Sequence, residues 1–209
     1  MRSRLVVRMG LLFLLSALVH AQEKSTVYEL KDKQGSVWLL NDPKSPIRLE
    51  GPKRMLRWEN GAVDLDYKIV NISKGNILKF EILETNWFAS MTKTSEPTFT
   101  KGAFSPTIFI PGFIYDKNEV ETIPVDLSRA EQLGLSKPAD SVWMVTVPKV
   151  KFTDGRIFDS TSKYDRLKKF LEDLDNEAWD LEESGKKVDR VQYESKIRAF
   201  ISKLDLRID

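Results

Sequence analysis

The chain has no cysteine and a single histidine, His20. That histidine falls in an opening segment with the grammar of an export signal. Arg2, Arg4 and Arg8 form a basic start, Gly10 to Val19 an apolar run, and Val19-His20-Ala21 sets a small residue before Gln22. The pattern predicts a signal peptide over residues 1–21 with cleavage after Ala21. The apolar run is shorter than the ~20 residues a membrane span needs, so an N-terminal anchor is the lesser reading. The expected mature chain then has neither His nor Cys. That excludes Ser-His-Asp and Cys-His catalysis. It equally excludes Cys/His zinc sites, blue copper, His- or Cys-ligated haem, disulfide exchange and a lipidated N-terminal cysteine. An enzyme here would have to work with carboxylates, Lys, Ser, Thr, Tyr or oxygen-bound metals.

A strong charge of either sign is also missing. The signal carries three of the 33 basic residues and none of the 31 acidic ones, leaving 30 against 31 and a mature charge of about −1. Net charge therefore gives no reason to expect nucleic-acid binding. Removing 21 residues from 209 leaves 188, enough to bury a core without disulfide staples. No further apolar run of spanning length follows, so no membrane span is expected after signal removal.

What is present reads mainly as strands. Residues 36–41 form a first strand, stopped at Asp42-Pro43, and residues 53–59 a second, after Pro46 and Pro52. Asn60-Gly61 is a hairpin signal. Val63, Leu65, Tyr67 and Ile69 then alternate with Asp64, Asp66 and Lys68, and Leu78, Phe80 and Ile82 repeat the pattern after the "NISKGN" turn. A period of two means one buried face and one wet face. Residues 87–115 are aromatic-rich and irregular, and residues 119–127 are strand-like. Ser128, Glu131 and Gly134 suggest one or two capped helical turns. "SVWMVTV" (141–147) is apolar on both faces, as a central strand should be, and Pro148 implies a bulge or edge there.

After residue 160 the period changes to that of a helix. Leu167, Phe170, Leu171, Leu174, Ala178 and Leu181 line one stripe, opened by a Ser162–Asp165 capping box. "SGKK" (184–187) breaks it, and Asp189 with Gln192 opens a second helix lined by Tyr193, Ile197, Phe200, Ile201 and Leu204. The predicted fold is an antiparallel, immunoglobulin-like β-sandwich over residues 22–159 with a C-terminal helical hairpin over 160–209. Trp179 lies off the apolar stripe of the first helix.

Five features invite a functional reading. "TDGR" reads as a two-residue type I′ hairpin that pairs Phe152 with Ile157, rather than as a calcium or acid site using Asp154 and Asp159. Asp64 and Asp66 project the same way at a spacing that glycosidase pairs use, and the plainer reading is a solvated sheet face. The aromatics of 87–115, Trp87, Phe113 and Tyr115 among them, are candidate ligand-binding residues at the end of a sandwich. Core packing is the plainer reading for these, and "IFIPGFIY" (108–115) is the segment where exposure would discriminate. Asn71 begins an Asn-Ile-Ser sequon. The helices either pack on the sandwich or contact a partner.

"YKIVNISKGNILKFEI" (67–82) resembles the opening strands of small secreted bacterial immunoglobulin-like domains of the FxLYD type. "IYDKNEV" (114–120) is similar to the stretch that names them, with Ile114, Tyr115 and Asp116 in motif positions. Pro111 stands where that family has Phe, and no Gly follows Asn118. The resemblance implies a sandwich and supplies no catalytic residue. The functional expectation is a secreted or periplasmic, non-catalytic binding or structural module without metal or cofactor. Its partner is expected to be another protein or a cell-envelope component. A carbohydrate-binding module using loop aromatics and a His-free carboxylate hydrolase are the alternatives.

Overall fold

The computed structural model describes residues 27–30, 35–58, 63–88, 99–104, 110–117, 122–125 and 141–209. The segment expected to be a signal peptide, the hairpin turn expected at Asn60-Gly61 and the helical turns expected at 128–134 lie outside them. The described elements are β1 (Val27–Leu30), β2 (Gly35–Asn41), β3 (Ile47–Trp58), β4 (Val63–Asn71), β5 (Ile77–Phe88), β6 (Phe99–Phe104), β7 (Ile114–Lys117), β8 (Thr122–Val125), β9 (Ser141–Phe152), β10 (Ile157–Asp159), α1 (Thr161–Glu183), α2 (Arg190–Lys203) and β11 (Arg207–Ile208). The protein is mainly β with two C-terminal helices.

The strands form two sheets. One runs β7-β4-β3-β1-β8, the other β11-β2-β9-β5-β6 with β10 beside β9. Both are mixed, which corrects the antiparallel expectation: β1 pairs parallel with β8 and β2 parallel with β9. Alternation along a strand marks its buried face but carries no information on the direction of its neighbour. The two long alternating strands, β4 and β5, also do not pair with each other. The turn after Asn71 carries the chain from the first sheet to the second.

The apolar faces of the two sheets meet. Leu49, Leu65, Tyr67 and Ile69 from the first share a core with Leu39, Phe80, Ile82, Val145, Val147 and Val150 from the second. Tyr67 Oη donates to Glu84 Oε1 across the gap at 2.7 Å. Asn41 of β2 brackets the Leu49 peptide of β3, donating to its carbonyl at 2.9 Å and accepting from its N–H at 2.8 Å. These bonds satisfy polar groups that burial would otherwise leave costly.

The second sheet is apolar on both faces because both are covered. Trp38, Leu40, Val142, Met144 and Trp87 form a second core with the stripes of α1 and α2. β9 divides its side chains between the two cores, as its sequence predicts. At Pro148 it changes neighbours. β2 pairs with it as far as Thr146, β10 takes over from Lys149, and the pairing with β5 slips between Glu81 and Leu83. A residue with no N–H sits where the ladder is interrupted anyway.

The helices therefore pack on the outer face of the second sheet. α1 starts before the expected capping box. Its N-cap is Ser160, whose hydroxyl donates to Pro148 O at 3.1 Å instead of capping, while Asp159 Oδ1 accepts from Thr161 N at 3.0 Å. α2 begins as predicted, with Asp189 accepting from Gln192 N. Past α2, β11 adds to the edge of β2, and Asp209 exchanges backbone bonds with Leu39.

Tyr164 and Tyr193 are both buried in the helical core. Burial pushes each phenol up to about 12, helped for Tyr193 by the Glu177 carboxylate and for Tyr164 by that of Asp42. The unfolded phenol titrates near 10. Below pH 10 both states are neutral and nothing is lost. Between 10 and 12 the unfolded chain gives up protons that the folded chain keeps, so stability falls across that window. For Tyr164 the loss reaches about 2–3 kcal/mol above pH 12. Alkaline titration should give phenolate absorbance for Tyr164 only together with loss of the folded signal. A Tyr164 phenolate near pH 10 in intact protein would contradict this.

Candidate functional site: the loop end of the sandwich

Four connections meet at one end of the sandwich, residues 42–46, 72–76, 110–113 and 153–156, joined to one another by hydrogen bonds. Ile110-Pro111-Gly112-Phe113 is a type II turn closed by Phe113 N to Ile110 O at 3.0 Å, with Gly112 at φ +76° where that turn demands it. Asn71 holds it in place. Its N–H donates to Phe113 O at 3.1 Å, its carbonyl accepts from Gly112 N at 3.3 Å, and Nδ2 donates to Ile110 O at 3.4 Å. Nδ2 also donates to Gly75 O, and Oδ1 accepts from Ser73 N at 3.0 Å. Ile72 N reaches Pro46 O and Thr153 N reaches Asn76 O, each at 3.0 Å. Asn71 is 3 % exposed. Its amide nitrogen is committed inside the fold, so the sequon is a structural turn in the folded chain.

On this bonded frame several of the outward-facing side chains are apolar, beside exposed polar ones such as Lys44, Lys74 and Asn76. Ile110 is 65 % exposed, Ile114 51 %, Ile72 50 % and Phe113 45 %. Pro111 and Gly112 are exposed as well. Single exposed apolar residues are ordinary on protein surfaces, whereas several around one turn are the usual mark of an interaction site.

"TDGR" belongs to the same end. Its register corrects the expected two-residue turn: β10 pairs Ile157 with Lys151 and Phe158 with Val150. Gly155 N bonds Phe152 O at 3.2 Å and Phe152 N bonds Arg156 O at 2.9 Å, making a three-residue loop. Gly155 takes φ +88°, and Asp154 is not in the left-handed region. The slip of one residue turns Ile157 outward, 57 % exposed, while Phe152 stays buried. Asp154 works within the loop. The Arg156 amide and guanidinium hold its carboxyl below the usual range, with Arg156 Nε at 2.8 Å from Oδ2.

Gly75 shows how closely the loops fit. A Cβ there would lie 2.9 Å from Phe152 Cδ1 and 3.0 Å from Arg156 Nη2. The Phe152 ring is buried under the Arg156 guanidinium, 4.6 Å above it. Gly75→Ala should therefore destabilise the fold by about 1–3 kcal/mol, read as a lower urea midpoint. An unchanged midpoint would mean that the ring moves freely.

The structure separates the residues singled out from the sequence. Phe113 is at the loop end. Tyr115 is next to it on β7, in register with Ile69 of β4. Trp87 lies ten residues along β5 from Ile77, roughly 33 Å away at strand rise. It is a strand residue, 0 % exposed and stacked on Tyr193 at 5.8 Å. This corrects its assignment as a loop aromatic, because neither face of its ring is open to a sugar. The patterned burial of the helices recruited Trp87 into their core, a contact that no local signal announces.

Asp64 and Asp66 do share the outer face of the first sheet, but that face is not simply wet. Asp66 is 5 % exposed and Asp64 half-buried. Both have interaction partners, Asp64 Oδ1 accepting from Leu65 N among them. Register sets Asp66 beside Arg54, and Lys68 between Glu50 and Asp116.

Sequence reasoning pointed to residues 108–115 and missed Ile72. The available signal was a β-branched apolar residue inside an otherwise polar turn. No family model matches this chain, and neither a curated protein nor a solved structure does.

Proposed function

We propose that the protein is an exported, non-catalytic binding module on an immunoglobulin-like sandwich, and that the loop end is its docking face. The observation that carries this reading is the set of four large apolar side chains held outward on a fully bonded turn frame. A frame already ordered before binding spares the entropy of fixing loops at the interface. Asn71 is buried to position a turn whose side chains are then left in water, an arrangement that core packing alone does not require. The reading assigns no role in chemistry to Asp64 or Asp66.

Replacing Ile110 and Phe113 together by Ser tests it. Ile110 is 65 % exposed and Phe113 45 %, so the loss of stability read from the urea midpoint should not exceed about 1–2 kcal/mol. Association of the purified protein with a cell-envelope fraction from its own cells should fall roughly tenfold or more. Undiminished association of the double variant would contradict the reading. So would a measured turnover that disappears on changing Asp64 or Asp66.

A further inference from the structure

We infer that the docking face engages the surface of an anionic lipid bilayer, with lysines at the headgroups and Ile72, Ile110 and Phe113 in the interface. This rests on the docking reading above and names its partner class. At the loop end three carboxylates are already paired with cations: Asp42 with Lys163 at 2.8 Å, Asp154 with Arg156 at 2.8 Å, and Glu50 with Arg48. Asp209 is held by Asn41 Nδ2 at 2.7 Å instead. Lys44 and Lys74 are exposed, and among the described residues neither has a carboxylate partner. Lys79 and Lys151 face each other across β5 and β9 just beyond Ile77. The apolar turn is thus flanked by unneutralised cations on a chain whose mature charge is about −1.

The compensating acid sits elsewhere. Residues 172–183 of α1 hold Glu172, Asp173, Asp175, Glu177, Asp180, Glu182 and Glu183, with no Lys or Arg. Lys163, at the start of α1, is tied to the 42–46 loop, and the helix runs about 34 Å from there toward the Trp87 end. Among the described residues this acidic run lies away from the apolar turn, with Glu172 and Glu177 paired to Lys168 and Lys196. Near a negative surface this separation orients the molecule loop end first.

Protein interfaces are depleted in lysine around their apolar centres. Exposed apolar side chains ringed by lysines are the usual equipment for a bilayer interface, which takes in apolar groups without shape complementarity.

The test is flotation of the mature protein with vesicles of phosphatidylcholine alone and of phosphatidylcholine with phosphatidylglycerol. Binding is expected only to the anionic vesicles and should weaken as salt shortens the screening length. Lys44→Glu with Lys74→Glu should cut partitioning by roughly fivefold or more for each lysine. Phe113→Ser should also cut it, and Val191→Ser, at an exposed residue of α2, should leave it unchanged. No anionic-vesicle binding at low salt, equal binding to both vesicles, or indifference to the lysine reversals would overturn the inference. If vesicles fail while envelope association still depends on Ile110 and Phe113, the docking reading stands and the bilayer does not. If both fail, both readings fall.

Discussion

Trp87→Ala should cost about 3–5 kcal/mol, enough to unfold a domain of ordinary stability at body temperature. The residue is 0 % exposed and lies among Trp38, Val142, Met144 and the stripes of both helices. Removing it takes away a large transfer contribution and opens a cavity that sheet and helices, each hydrogen-bonded along its own backbone, cannot close. It also removes the stack on Tyr193. Trp87→Phe should cost far less. Among the described residues the indole Nε1 has no hydrogen-bond partner, so Phe drops a buried donor that gains nothing from burial. Urea denaturation of the three proteins checks both statements. A loss below about 1 kcal/mol for Ala would mean that the helices do not rest on Trp87. The same variants separate the carbohydrate reading from the present one. If Trp87 bound sugar, Ala would abolish binding on a glycan array and leave the midpoint alone.

Lys163→Met should cost roughly 3 kcal/mol. The Asp42 side chain is 2 % exposed and that of Lys163 25 %, with 2.8 Å between Nζ and Oδ2. Without the lysine, Asp42 keeps the Lys44 amide at 2.9 Å but remains a buried anion with no countercharge. The methionine retains most of the apolar stem, so the loss reports the charge rather than the packing. Adding Asp42→Asn to Lys163→Met should recover a good part of the stability, because the orphaned charge is gone. A double variant as unstable as the sum of the single ones would contradict this coupling and the role of the pair in fastening α1 to the 42–46 loop.

The helices were legible in the sequence because their apolar spacing and caps are local. Leu167, Leu171, Leu174, Ala178, Tyr193, Ile197 and Ile201 are buried as the spacing requires. β9 was legible for a related reason, since a strand apolar on both faces implies two cores. The sheet assignments were not. Alternation in β4 and β5 marks their buried faces, yet nothing in the "NISKGN" turn states that it crosses between sheets. The "TDGR" loop was recognised as a turn but closed one residue differently, and that single slip moved Ile157 from the core to the surface. Glycine in the left-handed region fits either loop length, so composition alone does not choose between them. At the candidate site, Phe113 was visible as part of an apolar turn. Asn71 acts there through contacts about 40 residues away in sequence and Ile72 through a bond to Pro46, which no local pattern encodes.

We propose that the loop end, and not the helical face, is where this protein meets its partner. A photoreactive side chain placed at position 113, with a matched one at Val191, tests it in the cells that make the protein. Val191 is 75 % exposed on α2, so both probes are accessible and only their location differs. The account predicts an adduct from position 113, lost when Ile110 is changed to Ser, and none from position 191. Adducts from 191 alone, or none from 113, would contradict it.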